Sequence, residues 1–406
     1  MEKSMEPLLN NCLLSKLVRE YHEIDNHPEY RVRNIKLKEN FPKLINLLES
    51  EDCRQLETDC ILLARLLILY LELKCEGLWN TEEIRHKEYS KILNILLKNK
   101  YNIDLNNILN CDHVNSQEIF NICIKELHKN LTMNEFKKYP SFIEVYCLLV
   151  KNVKTYKLTI NPVTVLPVAL LLIEDYMPEN KIRGLKSCAA ILQSLVNFTA
   201  GNYYEVVYSS LKKNFVEKDK DVTNALFECI TEFLIILPSN IKKNKMDDIF
   251  SSVVDELHTE TNLYRKADYF DFTTKIIEMH GIHCVKKKIF KDIICDNIDI
   301  CSNESVDEIL LEHVLECLQT WIRHCWCIWK LSADHKMLKS LFKILYLAKD
   351  DSTKLKIQNL ILTLIKLCSK EEQINIIENL ELPFALKNNE FNLILLLSIK
   401  VNICLN

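Results

Sequence analysis

The amino-acid sequence predicts an all-α protein built from stacked antiparallel helix pairs. Only four of its 406 residues are glycine, whereas about 7% is usual. Apolar residues recur with a helical period of about 3.6 in nearly every window. The first apolar positions of two clear helices, Ile182 and Val222, lie 40 residues apart, and HEAT and armadillo repeats have a period of roughly 40–47 residues. The predicted fold class is therefore a HEAT/armadillo-like α-solenoid.

The scarcity of glycine also excludes several kinds of site. Phosphate-binding loops, dinucleotide-binding turns and tight β-hairpins need residues that adopt positive φ. No two glycines lie closer than 17 positions, which is the separation of Gly184 and Gly201. Walker and Rossmann sites are therefore excluded. Four glycines and nine prolines also supply too few turns for a many-stranded β architecture.

Helix signals follow one another along the chain. Residues 27–48 have a helix-start signal followed by a stripe of Val32, Ile35, Leu44 and Leu48, which we expect to face the core. Residues 305–322 and 350–367 each open with Ser or Asp and an acidic first turn.

The clearest helices lie in the middle of the chain. Pro178 and Glu179 suit a first turn, where a missing N–H costs nothing and a carboxylate faces the positive end of the helix. The stripe that follows consists of Ile182, Leu185, Ala189, Leu192 and Val196. Residues 221–237 repeat the pattern, with Val222, Ala225, Leu226, Cys229, Phe233 and Ile236 on the buried side.

Turn-rich stretches near residues 101–116 and 155–162 suggest how the chain is organised. They separate an N-terminal helical region, residues 1–155, from HEAT-like repeats over residues 156–406, within one continuous solenoid. Gly77 and Gly281 lie where helices are expected to break. The last residues are strongly apolar, so we expect Phe391 to Leu405 to pack against the preceding repeat or a partner.

Charge and cysteine content indicate an intracellular protein whose partners are proteins. The 52 basic and 56 acidic residues are well mixed and give a net charge of −4, which provides no field for collecting nucleic acid. The longest apolar stretches, residues 61–73 and 163–173, are too short to span a membrane. Seventeen irregularly spaced cysteines, with no signal peptide at the N-terminus, indicate reduced thiols. We expect a cytoplasmic location, with the nucleus as a second location, and neither nucleic acid nor membrane as a partner.

Two clusters have the residue types of metal ligands. His280, His283 and Cys284 could share one helix face, but Gly281 predicts a helix break between them. Cys325 and Cys327 stand two positions apart in a helical run and so point to different sides. We therefore predict neither a metal nor a cofactor. There is no nucleophile elbow and no pair of acids facing one substrate, so no catalytic residue is predicted and a non-enzymatic protein is expected.

The stretch from Asn161 to Leu211 resembles the signature region of the second Tel-two-interacting protein family. The family pattern has a Leu-Pro followed by an apolar helix, an acidic pair, a Lys-x-x-Gly that opens the next helix, and a later Val-x-Tyr. These features fall on Leu166-Pro167, on Glu174-Asp175 followed by Tyr176, on Lys181 to Gly184, and on Val206 to Tyr208. The helix from Trp321 to Trp329 is similar to the family's C-terminal tryptophan region, with Trp326-Cys327 in place of Trp-Pro.

The resemblance implies an α-helical scaffold subunit of the TTT co-chaperone assembly. It implies direct binding to the first Tel-two-interacting protein and indirect contact with Tel-two. It also implies support for the maturation and stability of phosphatidylinositol-3-kinase-related kinases, together with the Hsp-ninety and R2TP chaperone systems, and hence a role in the DNA damage response and TOR signalling. The alternative is an armadillo-type trafficking or transport adaptor that binds cargo peptides, and an enzyme is a third hypothesis.

The candidate partner-binding residues lie mostly in this signature. A glycine inside a helix costs about 1 kcal/mol relative to alanine, so Gly184 indicates a close helix crossing or a partner backbone at that point. Asp175 and Tyr176 have two interpretations, namely an organised inter-helix turn and a partner contact. The candidates are Glu174, Asp175, Tyr176, Lys181, Arg183, Gly184, Tyr204, Tyr208 and Trp326.

Overall fold

Helices joined by turns and short 3₁₀ segments make up the described part of the chain. The structure, a computed structural model, describes residues 2–50, 56–82, 84, 87–132, 135–156, 158–195, 203–326 and 335–376. The chain divides into two compact units, unit 1 over Met1–Leu237 and unit 2 over Pro238–Asn406. The division lies at 237/238, and helices on either side of residue 155 pack on one another. The predicted packing of Phe391 to Leu405 lies outside the described residues.

Unit 1 contains the N-terminal region and the signature segment. Its α-helices are α1 Glu2–Cys12, α2 Pro28–Ser50, α3 Cys60–Lys74, α4 Tyr89–Tyr101, α5 Ser116–Leu131, α6 Pro140–Lys151, α7 Pro162–Ile173, α8 Pro178–Ser194, α9 Tyr203–Lys213 and α10 Lys220–Ile236. Short 3₁₀ segments lie at Ile108–Asn110, Phe136–Lys138, Val153–Thr155 and Asn214–Val216.

Unit 2 continues the helical pattern. Its α-helices are α11 Ser239–Thr259, α12 Leu263–His280, α13 Ile289–Ile300, α14 Glu304–Cys325, α15 Lys336–Leu347 and α16 Asp351–Lys366, with a 3₁₀ segment at Gly281–Lys286. Within the described residues, no helix combines the length and the apolar character needed to cross a membrane.

Each unit stacks its helices in two layers, because a helix packs on the helix two places along the chain. In unit 1, α3 packs on α5, α5 on α7 and α7 on α9, while α6 packs on α8 and α8 on α10. In unit 2, α11 packs on α13 and α13 on α15, while α12 packs on α14 and α14 on α16. Consecutive helices also contact one another, as α7 and α8 do. This nearest-neighbour stacking is the arrangement of an α-solenoid, and it confirms the predicted fold class.

Local sequence signals fix many of the helix ends. Pro178 opens α8 and Glu179 stands in its first turn, as predicted. Asp219 caps α10 by accepting the Val222 N–H at 2.9 Å, and Asp350 caps α16 by accepting the Thr353 N–H at 2.8 Å. Such caps satisfy backbone donors that have no partner inside the helix.

Two of the four residues predicted to form a buried stripe over residues 27–48 are in fact buried. Leu44 and Leu48 are buried, but Val32 and Ile35 are 47% and 58% exposed. The buried face of α2 consists of Tyr30, Arg33, Leu37, Phe41, Leu44 and Leu48. An arginine thus occupies a core position that the apolar pattern gave to its neighbours.

Arg33 is buried because it pairs with Glu72 on α3. Arg33 Nη2 donates to Glu72 Oε1 at 3.2 Å, and their side chains are 1% and 0% exposed. Glu72 Oε1 also accepts the backbone N–H of Leu14 at 3.0 Å, which ties the segment after α1 to α3. Burial raises the pKa of Glu72, although Arg33, a hydrogen bond from Ser141 and the Leu14 N–H act in the opposite direction.

In unit 2, an ion pair joins the two helices α12 and α14. The distance from His313 Nδ1 to Asp271 Oδ1 is 2.6 Å. The hydrogen bond to Asp271 raises the pKa of His313 above its ordinary value, and the charges of Asp271, Asp268 and Glu312 add to this effect against a smaller opposing effect of burial. The protonated imidazole is therefore favoured in the folded state.

We expect His313→Gln to reduce the pH dependence of the stability of unit 2. A raised folded pKa gives stability that is fully present below the unfolded pKa and lost as pH rises through the folded pKa. The contribution is about 0.2–1 kcal/mol, since the pair is partly exposed and screened by solvent. Urea unfolding at pH 6 and pH 8 measures this contribution. The decrease in the free energy of unfolding from pH 6 to pH 8 is expected to be smaller in the variant than in the wild-type chain. An equal loss in both proteins would contradict the prediction.

Candidate partner-binding surface

The signature segment folds into α7, α8 and α9, with a tight turn at residues 174–177 between the first two. Gly184 lies where α8 crosses α7. A Cβ added at Gly184 would stand 2.6 Å from the backbone N of Ile173 and 2.8 Å from the carbonyl O of Ala169. The close helix crossing that the sequence indicated at Gly184 is therefore present, and it lies inside the molecule.

Asp175 is the anchor of the turn. Its side chain is 2% exposed, and Oδ1 accepts the backbone N–H of Tyr176 at 2.8 Å. Oδ2 accepts a hydrogen bond from Asn180 Nδ2 at 2.6 Å. Lys137 Nζ completes the arrangement at 2.8 Å from Oδ1. Asp175 thus organises the inter-helix turn, which was one of its two sequence interpretations.

Lys137 comes from the 3₁₀ segment Phe136–Lys138 and lies under the ring of Tyr176. Its Nζ is 3.7 Å from the ring centroid, a distance that allows a cation–π interaction. Burial alone would lower the pKa of Lys137, but the hydrogen bond and charge of Asp175 outweigh burial and raise it. The ammonium group is therefore held in its charged form between a carboxylate and an aromatic face.

Tyr176 is presented outward by these contacts. It is 64% exposed, and its hydroxyl group is hydrogen-bonded to His22 Nε2. The two rings meet edge to face, with their centroids 5.3 Å apart. An exposed aromatic ring held in one position by a cation and an imidazole loses little entropy on binding, which suits a contact with a partner protein.

The N-terminal segment supplies part of this surface. Besides His22, the N–H of Leu17 donates to the carbonyl of Lys138 at 2.9 Å, and the N–H of Tyr21 donates to that of Lys137 at 3.1 Å. We use the name signature surface for His22, Lys137, Glu174, Asp175 and Tyr176. Sequence analysis missed His22, which lies 154 residues from Tyr176, and Lys137, which lies 38 residues from Asp175, because no local pattern marks them.

The other charged candidates are paired within the molecule. Lys181 is buried and pairs with Glu217, and its Nζ donates to Asn214 Oδ1 at 3.1 Å. Arg183 pairs with Glu144 on α6. Glu174 is exposed, with Oε1 3.3 Å from Lys213 Nζ.

The aromatic candidates differ in exposure. Tyr204 is half-buried on α9, whereas Tyr208 is 8% exposed and stacks on Phe233 with ring centroids 6.1 Å apart. Trp326, just after α14, is 59% exposed. The neighbouring Cys327 and Trp329 lie outside the described residues. The structure thus brings Glu174, Asp175 and Tyr176 together, while Trp326 belongs to unit 2.

The residues that the sequence offered as metal ligands have other roles in the fold. Gly281 ends α12 with φ +60°, so the predicted helix break is present. His280 Nε2 lies 2.7 Å from Asp247 Oδ1, and burial lowers the pKa of this histidine. Cys284 is fully buried. Among the described residues, no three His, Cys, Asp or Glu side chains converge as a metal would require.

The cysteines of the described residues are free thiols. Burial raises the pKa of Cys12 and Cys317 to about 12, which disfavours the reactive thiolate. These cysteines therefore act as small apolar side chains.

Comparison with known proteins gives a distant similarity. No family model matches the chain. The chain is similar to TELO2-interacting protein 2 from Mus musculus, with 19% identity over 319 residues that cover 75% of this chain. The chain spans 62% of the length of that relative. This relative carries the name of the family that the signature residues resemble.

Proposed function

We propose that this chain is a non-enzymatic scaffold subunit of a TTT assembly. In this proposal it binds the first Tel-two-interacting protein directly and Tel-two through it. The complex then supports the maturation and stability of phosphatidylinositol-3-kinase-related kinases with the Hsp-ninety and R2TP chaperone systems. The observation that carries the proposal is the similarity to TELO2-interacting protein 2 over 75% of the chain, a relative whose name states an interaction with TELO2.

The fold supports a scaffold role. Stacked helix pairs offer long surfaces on which a second protein can lie, and they hold these surfaces with nearest-neighbour contacts alone. The signature surface adds a pre-formed aromatic anchor, because Lys137 and His22 fix the exposed ring of Tyr176. We therefore place the contact with the first Tel-two-interacting protein on this surface, and we assign Trp326 as a second contact in unit 2.

Co-purification tests the proposal. The full-length chain, tagged and expressed in its own cells, is expected to recover the first Tel-two-interacting protein and Tel-two in stoichiometric amounts. If neither protein is recovered, the proposal is wrong. Loss of the chain is also expected to lower the steady-state amount of the kinases, because unassembled clients are removed by degradation.

We expect Tyr176→Ala to weaken binding of the first Tel-two-interacting protein about thirtyfold. Removal of a central aromatic anchor costs about 2 kcal/mol or more, and 1.4 kcal/mol corresponds to a factor of ten. Binding is measured by titrating the purified partner against the wild-type chain and the variant, with the melting temperature as a check on folding. Tyr346→Ala is the matched control, since Tyr346 is a 72% exposed tyrosine on α15.

A second variant separates the ring from the hydroxyl group. Tyr176→Phe keeps the ring over Lys137 and loses only the hydrogen bond to His22, so it should retain most of the affinity. If Tyr176→Ala binds within twofold of the wild-type chain, the signature surface is not the contact site.

A further inference from the structure

A groove in unit 1, separate from the signature surface, has the chemistry of a peptide-binding site. It has a volume of about 300 Å³ and lies between α3, the turn at residues 105–110 and the end of α6. From the groove structure we infer that it binds an extended acidic peptide segment of a partner protein, with an aliphatic side chain in the groove and carboxylates at its rim.

Leucine side chains line much of the groove, beside polar lining residues. On α3, Leu67, Tyr70, Leu71 and Lys74 form one stripe along the helix, because residues three and four apart share a face. Six leucines line the groove, namely Leu67, Leu71, Leu105, Leu109, Leu148 and Leu149. A pocket of this kind accepts an aliphatic side chain.

The rim presents carboxamide groups to a peptide backbone. Asn106 Oδ1 accepts hydrogen bonds from the Tyr70 hydroxyl group and from Lys74 Nζ, the latter at 3.3 Å. This fixes the carboxamide and leaves its Nδ2 to donate to a ligand carbonyl. In Asn107 it is the amide nitrogen that is engaged, since Nδ2 donates to Asp104 Oδ2 at 3.3 Å. The Oδ1 of Asn107 can therefore accept a ligand N–H. A donor and an acceptor on consecutive residues match the edge of an extended peptide.

The charge of the lining selects an acidic ligand. Lys74 and Lys151 are exposed at the rim, and the lining residues include no aspartate or glutamate. The nearby carboxylate of Asp104 accepts hydrogen bonds from Asn94 Nδ2 at 3.1 Å and from Asn107 Nδ2 at 3.3 Å, and it lies 3.8 Å from Lys98 Nζ, so its charge is partly compensated. Two cations over a leucine floor fit one or two carboxylates flanking an aliphatic residue better than a nucleic acid, which needs a longer basic track and open stacking surfaces.

The test uses fluorescein-labelled peptides and the full chain. The acidic probe is Gly-Asp-Glu-Leu-Leu-Asp-Glu-Gly. In the control peptide lysine replaces the four acidic residues, and single-stranded oligouridine serves as the nucleic-acid control. By fluorescence anisotropy we expect the acidic probe to bind at least about tenfold more tightly than the other two, with an affinity that falls as salt rises. Equal or tighter binding of the lysine peptide or of the oligonucleotide overturns the inference.

Variants then locate the site. Lys74→Glu with Lys151→Glu is expected to weaken binding of the acidic probe about tenfold or more, and the milder pair Lys74→Gln with Lys151→Gln about threefold to tenfold. Lys154→Glu is the matched control, since Lys154 is exposed close to Lys151 but does not line the groove. Helical circular dichroism confirms folding, and undiminished binding by both pairs overturns the assignment to this groove.

Discussion

Glu72→Ala is expected to lower the free energy of unfolding of unit 1 by about 3–5 kcal/mol. The side chain is fully buried on α3 and receives a hydrogen bond from Arg33 at 3.2 Å and another from the Leu14 N–H at 3.0 Å. Alanine would leave the Arg33 guanidinium in the core without its carboxylate. An unpaired buried charge is far more costly than the pair itself, whose desolvation already offsets most of the mutual attraction.

Urea unfolding followed by circular dichroism measures the loss, and hydrogen exchange locates it. The Leu14 amide is expected to lose protection in the variant, because its acceptor is gone. Glu76→Ala, at an exposed position four residues further on, should change stability little. The double variant Arg33→Leu with Glu72→Leu removes both charges and should be much more stable than Glu72→Ala alone. If Glu72→Ala is as stable as Glu76→Ala, the buried pair does not have the role assigned to it.

Gly184→Ala is expected to destabilise unit 1 by about 1–3 kcal/mol. Alanine would ordinarily stabilise a helix by about 1 kcal/mol relative to glycine, so the expected sign is the reverse of helix propensity. The added Cβ would meet the backbone N of Ile173 at 2.6 Å and the carbonyl O of Ala169 at 2.8 Å. Neither atom can turn away as a side chain can, so α7 and α8 would have to separate.

The same unfolding experiment tests this prediction. Gly184→Val is expected to lower the free energy of unfolding more than Gly184→Ala does. Ile173→Ala should not rescue Gly184→Ala, since the two shortest contacts are with backbone atoms. Gly281→Ala is the contrasting control. A Cβ there has no atom within 4 Å, and its cost comes only from φ +60°, about 1–2 kcal/mol. A variant at Gly184 that is as stable as the wild-type chain would contradict the close crossing.

The signature surface was only partly predictable. The acidic pair before Pro178 indicated a turn, and Asp175 does organise one through Tyr176 and Asn180. Lys137 and His22 were not foreseeable, because their contacts join residues 38 and 154 positions apart. A periodicity describes which face of a helix is apolar, but it carries no information about which distant turn lies beside it.

The sequence by itself determined the all-α class, the stacking period and the breaks near Gly77 and Gly281, because these depend on local backbone preferences and on apolar spacing. Only the tertiary structure decided which polar residues enter the core. It placed Arg33 inside and left Val32 and Ile35 exposed, since Glu72 on another helix supplies a buried carboxylate that pairs with the guanidinium. It also exposed Tyr176 while burying its neighbour Asp175, because Lys137 pairs with the Asp175 carboxylate and lies against the face of the Tyr176 ring.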